Sequence, residues 1–128
     1  MWLDYLNSRE ALDRIFQDQV FGEVVELIRM SFEDRDVKIE FDLREWPENA
    51  PRKWSDQKLN TVQVTIVLGA CTQIHMKDWA SENIGEFRVK KIKGSDLYSF
   101  KFVSSSGTYF SCICDVLFFT KVSAYQNA

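Results

Sequence analysis

Between Val37 and Arg44 the chain reads Val-Lys-Ile-Glu-Phe-Asp-Leu-Arg, apolar and charged in unbroken alternation. Successive side chains of a β-strand point to opposite faces. The pattern therefore sends Val37, Ile39, Phe41 and Leu43 to a buried face and Lys38, Glu40, Asp42 and Arg44 to a wetted one. A helix would scatter the same residues around its circumference. A strand of this kind needs a sheet to lie in, and the flanking sequence offers one. Residues 24–32 read as a first strand, joined to the alternating one by the charged hairpin turn Glu33-Asp34-Arg35-Asp36. Residues 62–68 form a third, with Val62, Val64, Ile66 and Leu68 inward, and residues 74–77 continue or re-enter the sheet after Gly69 through a bulge. Residues 87–90, 98–102, 109–119 and 121–125 repeat the theme, with turns at 93–96 and 104–107.

One segment breaks the two-residue period. In residues 8–17, SREALDRIFQ, the side chains of Leu12, Ile15 and Phe16 share a helical face, and Leu3 and Leu6 extend that stripe. Asn7 stands as N-cap with Glu10 three positions on, a variant of the capping box. Hairpin-length connections make consecutive strands antiparallel. The expected fold is α+β, mainly antiparallel β, with seven to eight strands in a sandwich or strongly curved sheet and one N-terminal helix, all in a single domain over residues 1–128. Bulky Phe, Val and Ile at the inward positions predict a filled core.

The chemistry-bearing residues are sparse. His75 is the only histidine, on the outward side of its strand with Asp78 three residues on, which is the setting of an ordinary surface histidine. The serines of Ser104-Ser105-Ser106-Gly107 make a turn, and no nucleophile elbow or glycine-rich phosphate loop is present. Cys71, Cys112 and Cys114 lack the spacing of a zinc site, and the C-x-C pair on one strand face is too far apart for a disulfide, so all three read as thiols. The expectation is no enzyme, no catalytic residue, no cofactor and no metal. The basic cluster Arg88, Lys90, Lys91 and Lys93 is short and the net charge is −3, so no nucleic-acid partner is expected. No apolar run is long enough to span a bilayer, and the segment MWLDYLNSRE has no signal-peptide character, so the expected site of action is the cytoplasm, with no membrane partner.

Two features remain. From Glu23 to Glu48 nine carboxylates face four basic residues, a local charge of −5. A polar outer hairpin face explains such a run; so does a patch that steers a basic protein. The stretch FDLREWPENAPRKW, residues 41–54, then holds both prolines and two of the four tryptophans. Pro47 and Pro51 end the strand, and Trp46 and Trp54 are spaced to fold back over the sheet as a rigid plug. Tryptophan, arginine and proline together also suit a binding anchor. The candidate partner-binding residues are Asp34, Asp36, Glu40, Asp42, Glu45, Glu48 and Trp46.

The same stretch, with Asn60-Thr61-Val62-Gln63, Lys77-Asp78-Trp79, Asn83-Ile84 and the ending Lys121-Val122-Ser123-Ala124-Tyr125-Gln126, resembles the immunity protein 50 family of bacterial polymorphic-toxin systems. The resemblance implies a small cytoplasmic protein that binds and blocks a cognate protein toxin, a basic nuclease domain among the candidates, by stoichiometric occlusion. It carries over no toxin-contact residue. The competing expectation is a small-molecule or lipid carrier, which would need interior space.

Overall fold

The alternating segment forms a strand, and its four apolar positions are buried as their period requires. A computed structural model describing residues 1–128 places it at Asp36–Leu43, with Val37, Ile39, Phe41 and Leu43 all buried. In chain order the strands are β1 (Leu6–Asn7), β2 (Val25–Glu33), β3 (Asp36–Leu43), β4 (Thr61–Gly69), β5 (Thr72–Lys77), β6 (Ile84–Lys91), β7 (Tyr98–Ser104), β8 (Tyr109–Cys114) and β9 (Val116–Tyr125). The helices are α1 (Glu10–Phe16) and α2 (Arg52–Asp56), and a 3-10 turn covers Trp2–Tyr5. All nine strands join one sheet in the order β1-β9-β4-β3-β2-β6-β7-β8-β5. Every neighbouring pair is antiparallel except β1 with β9, which is parallel.

The sheet curls, and the connections show why it must. β8 and β9 lie near opposite ends of the strand order, yet only Asp115 separates them in the chain. β4 and β5 are likewise far apart in the sheet and joined by Ala70 and Cys71 alone. Two long strands thus bend side by side through one corner and pass from one half of the sheet to the other, the device that turns corners in orthogonal β packings. Gly69 sits at this corner, where a Cβ would fall 2.7 Å from Val116 Cγ1. Backbone bonds fasten the bend: Asp115 N–H donates to the Gly69 carbonyl and Cys71 N–H to the Arg35 carbonyl. On the far side the two halves meet only briefly, through Val25↔Gly85 and Glu26↔Ile84. An added Cβ on Gly85 would lie 2.1 Å from the Val103 carbonyl oxygen, so this close passage requires glycine.

A bulge in β2 sets which side chains reach the core. Leu27 pairs with Phe41, but Arg29 pairs with Glu40, leaving Ile28 extra. The added residue shifts the alternation by one. Arg29 is thereby kept on the outer face beside Glu40, and Met30 and Phe32 turn to the inner side opposite Ile39 and Val37. Inside, the aromatic rings lock the halves together. Phe87 of β6 meets Trp2 at 5.1 Å, Phe41 of β3 at 4.9 Å and Phe100 of β7 at 5.1 Å between centroids. Edge-on and tilted pairs of this kind add about 0.5–1.5 kcal/mol each beyond the area they bury. Leu12, Ile15 and Phe16 of α1 complete the core, Phe16 stacked on Phe21 at 4.0 Å.

The architecture is α+β and mainly β, as the alternation implies, with five differences of detail. A second short helix, α2, follows Pro51 at Arg52–Asp56, where the sequence predicts one N-terminal helix alone. Nine strands form where seven or eight are legible, because Leu6–Asn7 pairs with Leu117 and Phe118 as a short parallel edge. Residues 109–119 are two strands, split at the corner by Asp115, and residues 121–125 belong to β9. Residues 74–77 re-enter the sheet at its far end, against β8. The helix begins at Glu10 with Arg9 as N-cap and without a side-chain cap bond. Asn7 cannot serve there, since its backbone is committed to β1 and Ser8 turns the chain at φ 63°.

Candidate partner-binding surface

The acidic candidates are spread over the whole length of β3 rather than gathered in one patch. Asp34 and Asp36 lie at the β2–β3 turn, Glu45 and Glu48 beyond its other end, a separation of roughly 20 Å along an extended strand. Asp34 is exposed, with φ 56° at the turn. Asp36 is exposed too, but one oxygen accepts the Ala70 N–H at 3.1 Å, tying the turn to the sheet corner. Glu40 is half-buried between Arg29 at 3.5 Å and Lys38 at 3.9 Å, a ladder of opposite charges on the outer face. Glu45 accepts the Gly22 N–H at 3.0 Å, and Glu48 alone of its end keeps an exposed, unengaged carboxylate.

Asp42 departs from the solvated ladder that alternation predicts. It is 4% exposed, accepting from Gln63 Nε2 at 3.1 Å and from the Tyr125 hydroxyl. Tyr125 lies 83 residues away in sequence, at the end of β9, and covers the outward face of β3 at this level. Its phenol is pushed up to about 12, chiefly by burial and then by the bond to Asp42 and the charges of Asp42 and Glu26. Asp42 is a structural acceptor and is withdrawn from any partner.

The proline–tryptophan stretch is a plug. Trp54 is buried, Trp46 is half-buried against it at 5.9 Å between ring centroids, and Pro47 is buried between them in the chain. Gln19 clamps the loop with both ends of its amide, donating to the Trp46 carbonyl and accepting from the Glu48 N–H. Asn49 adds bonds to Ile15 and Arg14 of α1. Trp46 is thus held by the protein's own core.

A different group of residues leaves apolar surface open to solvent. Ile28, Arg29, Met30, Phe32, Met76 and Trp79 line an open hollow of about 360 Å³ beside the β2–β3 turn. Phe32 is 56% exposed and Trp79 48%. Phe32 emerges because the bulge turns it inward at a level where β6 no longer flanks β2. Trp79 is presented on a fixed loop: buried Asn83 accepts the Ala80 N–H and donates to the Ala80 carbonyl, and buried Thr108 lies 2.8 Å from the Asp78 carbonyl. The sequence signal for these two was thin. Phe32 ends an apolar strand that looked ordinary, and Trp79 stood in a motif whose solvent exposure no local pattern encodes.

The sequence model of a family described as Immunity protein 50 matches residues 8–125. The chain belongs to the immunity protein 50 family. No curated protein and no solved structure matches it. Membership suggests an immunity function and implies binding of a cognate toxin; proteins of this kind are typically non-enzymatic. His75 is exposed on β5 and makes no side-chain hydrogen bond that would orient it as a base. The three cysteines are buried free thiols, with Cys71 and Cys112 sulfurs 3.8 Å apart. That contact holds the Cys71 thiol low, and the same network with burial drives Cys112 up. In this immunity protein 50 chain the concave side is filled with buried phenylalanines, and the largest hollow, about 460 Å³, surrounds the polar Lys91–Asp96 turn, which does not suit a carrier's interior site.

Proposed function

We propose that the chain neutralises a cognate bacterial toxin in the cytoplasm, by binding a domain of it one to one and covering its active or substrate-binding site. The observation that carries this reading is the pairing, at one end of β3, of exposed Phe32 and Trp79 with the acidic turn Glu33-Asp34-Arg35-Asp36. An apolar centre rimmed by charge is the anatomy of a protein interface. An interface of about 800 Å² per partner needs roughly a tenth of this chain's 7570 Å² surface. The rim carries carboxylates, so the toxin face it fits is basic, as a nuclease domain's substrate cleft is. Of the acidic candidates, Asp34 fits the role best, with Asp36 beside it and Glu33 added; Glu48, Glu45 and Trp46 belong to the opposite end, and Glu40 to the outer ladder.

The test uses the C-terminal domain of a large secreted protein encoded next to this gene. Reversing Glu33 and Asp34 to lysine slows association with that domain by about tenfold at low salt, while dissociation changes less. Association unchanged by both reversals removes the turn from the interface, and a wild-type chain that neither binds nor protects overturns the reading itself.

A further inference from the structure

β2 carries an open edge. Its pairing with β6 stops at Glu26, and from Arg29 to Glu33 it is bonded to β3 alone. In an antiparallel ladder hydrogen-bonded and non-bonded pairs alternate. Counted from Glu33↔Asp36, the pair that closes the two-residue turn, Glu33, Ser31 and Arg29 exchange bonds with β3. The N–H and C=O groups of Met30 and Phe32 then point away from it. No turn, loop or cap bond reaches them. These are the same two residues whose side chains line the hollow, with Met76 and Trp79 across from them.

Proteins guard such edges with charge, bulges or short strands. β9 beyond Phe118 is also bonded on one side only, but Lys121 stands exposed there and none of its large apolar side chains is exposed. The β2 edge has the opposite character: unpaired amides beside four of the chain's nine exposed large apolar side chains, Ile28, Phe32, Met76 and Trp79. Around it, residues 27–36 and 72–82 hold five carboxylates against three bases. That excess opposes a second copy of the same edge, which would bring like charge against like. It also opposes an anionic lipid surface, which would leave the amides unsatisfied as well.

We propose that the partner binds here by adding a strand: an extended segment pairs with the β2 edge at Met30 and Phe32, seats alternate apolar side chains in the hollow, and sets a lysine or arginine against Glu33 and Asp34. The proposal rests on the immunity reading above and specifies its geometry. Main-chain bonds give such an interface its affinity and the hollow its selectivity. The amides stay vacant in the free chain, so no internal bond is broken on binding.

Proline supplies the test, because at Met30 or Phe32 it deletes an N–H that β3 does not use. Met30→Pro and Phe32→Pro are compared with wild type for affinity to the adjacent gene's toxin domain by calorimetry. The expected loss is on the order of 10- to 100-fold. Amide hydrogen exchange on the unaltered protein gives a second readout: the Met30 and Phe32 amides exchange fast in the free chain and become protected in the complex. If the wild-type chain binds no such domain, the immunity reading and the added strand fall together. If it binds, and both proline variants bind equally well or the two amides stay unprotected, the added strand alone falls. A wild-type dimer that Phe32→Pro dissociates gives the edge to a second copy and also overturns the proposal.

Discussion

At one end of β3 the chain covers its core, with Trp46, Pro47 and Trp54 folded inward, the loop clamped by Gln19 and Asn49, and the outer face closed by Tyr125 over Asp42. At the other end it leaves a tryptophan, a phenylalanine and two vacant main-chain positions facing water. Both ends are aromatic and both are flanked by carboxylates. The difference lies in whether the polar backbone around the rings is satisfied from within. The covered end has its hydrogen bonds answered by the chain itself, and the open end leaves those of Met30 and Phe32 unanswered on a rigid frame. Aromatic content alone does not distinguish a plug from an anchor.

The comparison breaks most readily at Trp54. Trp54→Ala opens a cavity under the plug and lowers unfolding free energy by about 3–5 kcal/mol, measured by urea denaturation. A cost below about 1 kcal/mol would show that the loop seals nothing. At the opposite end Trp79→Ala, with half its surface already in water, changes stability by less than about 1 kcal/mol while weakening toxin binding. Equal losses at the two tryptophans would erase the distinction.

The smallest effect is a pH signature of the sealed end. The neutral Tyr125 phenol donates to Asp42, and folding raises its pKa from 10.0 to about 12. The stabilisation is complete below pH 10, where the phenol is protonated both folded and unfolded. Above 10 the unfolded chain gives up its proton first, so stability falls as pH rises toward 12. Phenolate absorbance should show one tyrosine of the four titrating late, and Tyr125→Phe should remove it. A late tyrosine that survives Tyr125→Phe contradicts the assignment.

Much of this fold was readable along the chain. The inward sets of β3 and β4, the apolar face of α1 and the hairpin turns all followed from local period and turn chemistry. The plug was readable as one of two alternatives, because paired prolines end a strand whatever surrounds them. The acidic run was visible but misleading as a single patch, since a strand spreads it over its length and one member, Asp42, is taken by a tyrosine far off in sequence. The bulge at Ile28 left no mark in the composition, although it decides that Phe32 and Met30 face the hollow.

The sequence by itself determined a mainly antiparallel β domain with a filled inward face and carried the motifs of the immunity protein 50 family, because strand period, turn residues and family motifs are properties of neighbours in the chain. Which end is closed and which is open was decided only by tertiary structure. That outcome depends on where β6 stops alongside β2, how the corner at Gly69 and Asp115 bends, and which distant side chain answers each polar group. Such facts belong to pairs of residues far apart in sequence, and no local pattern encodes them.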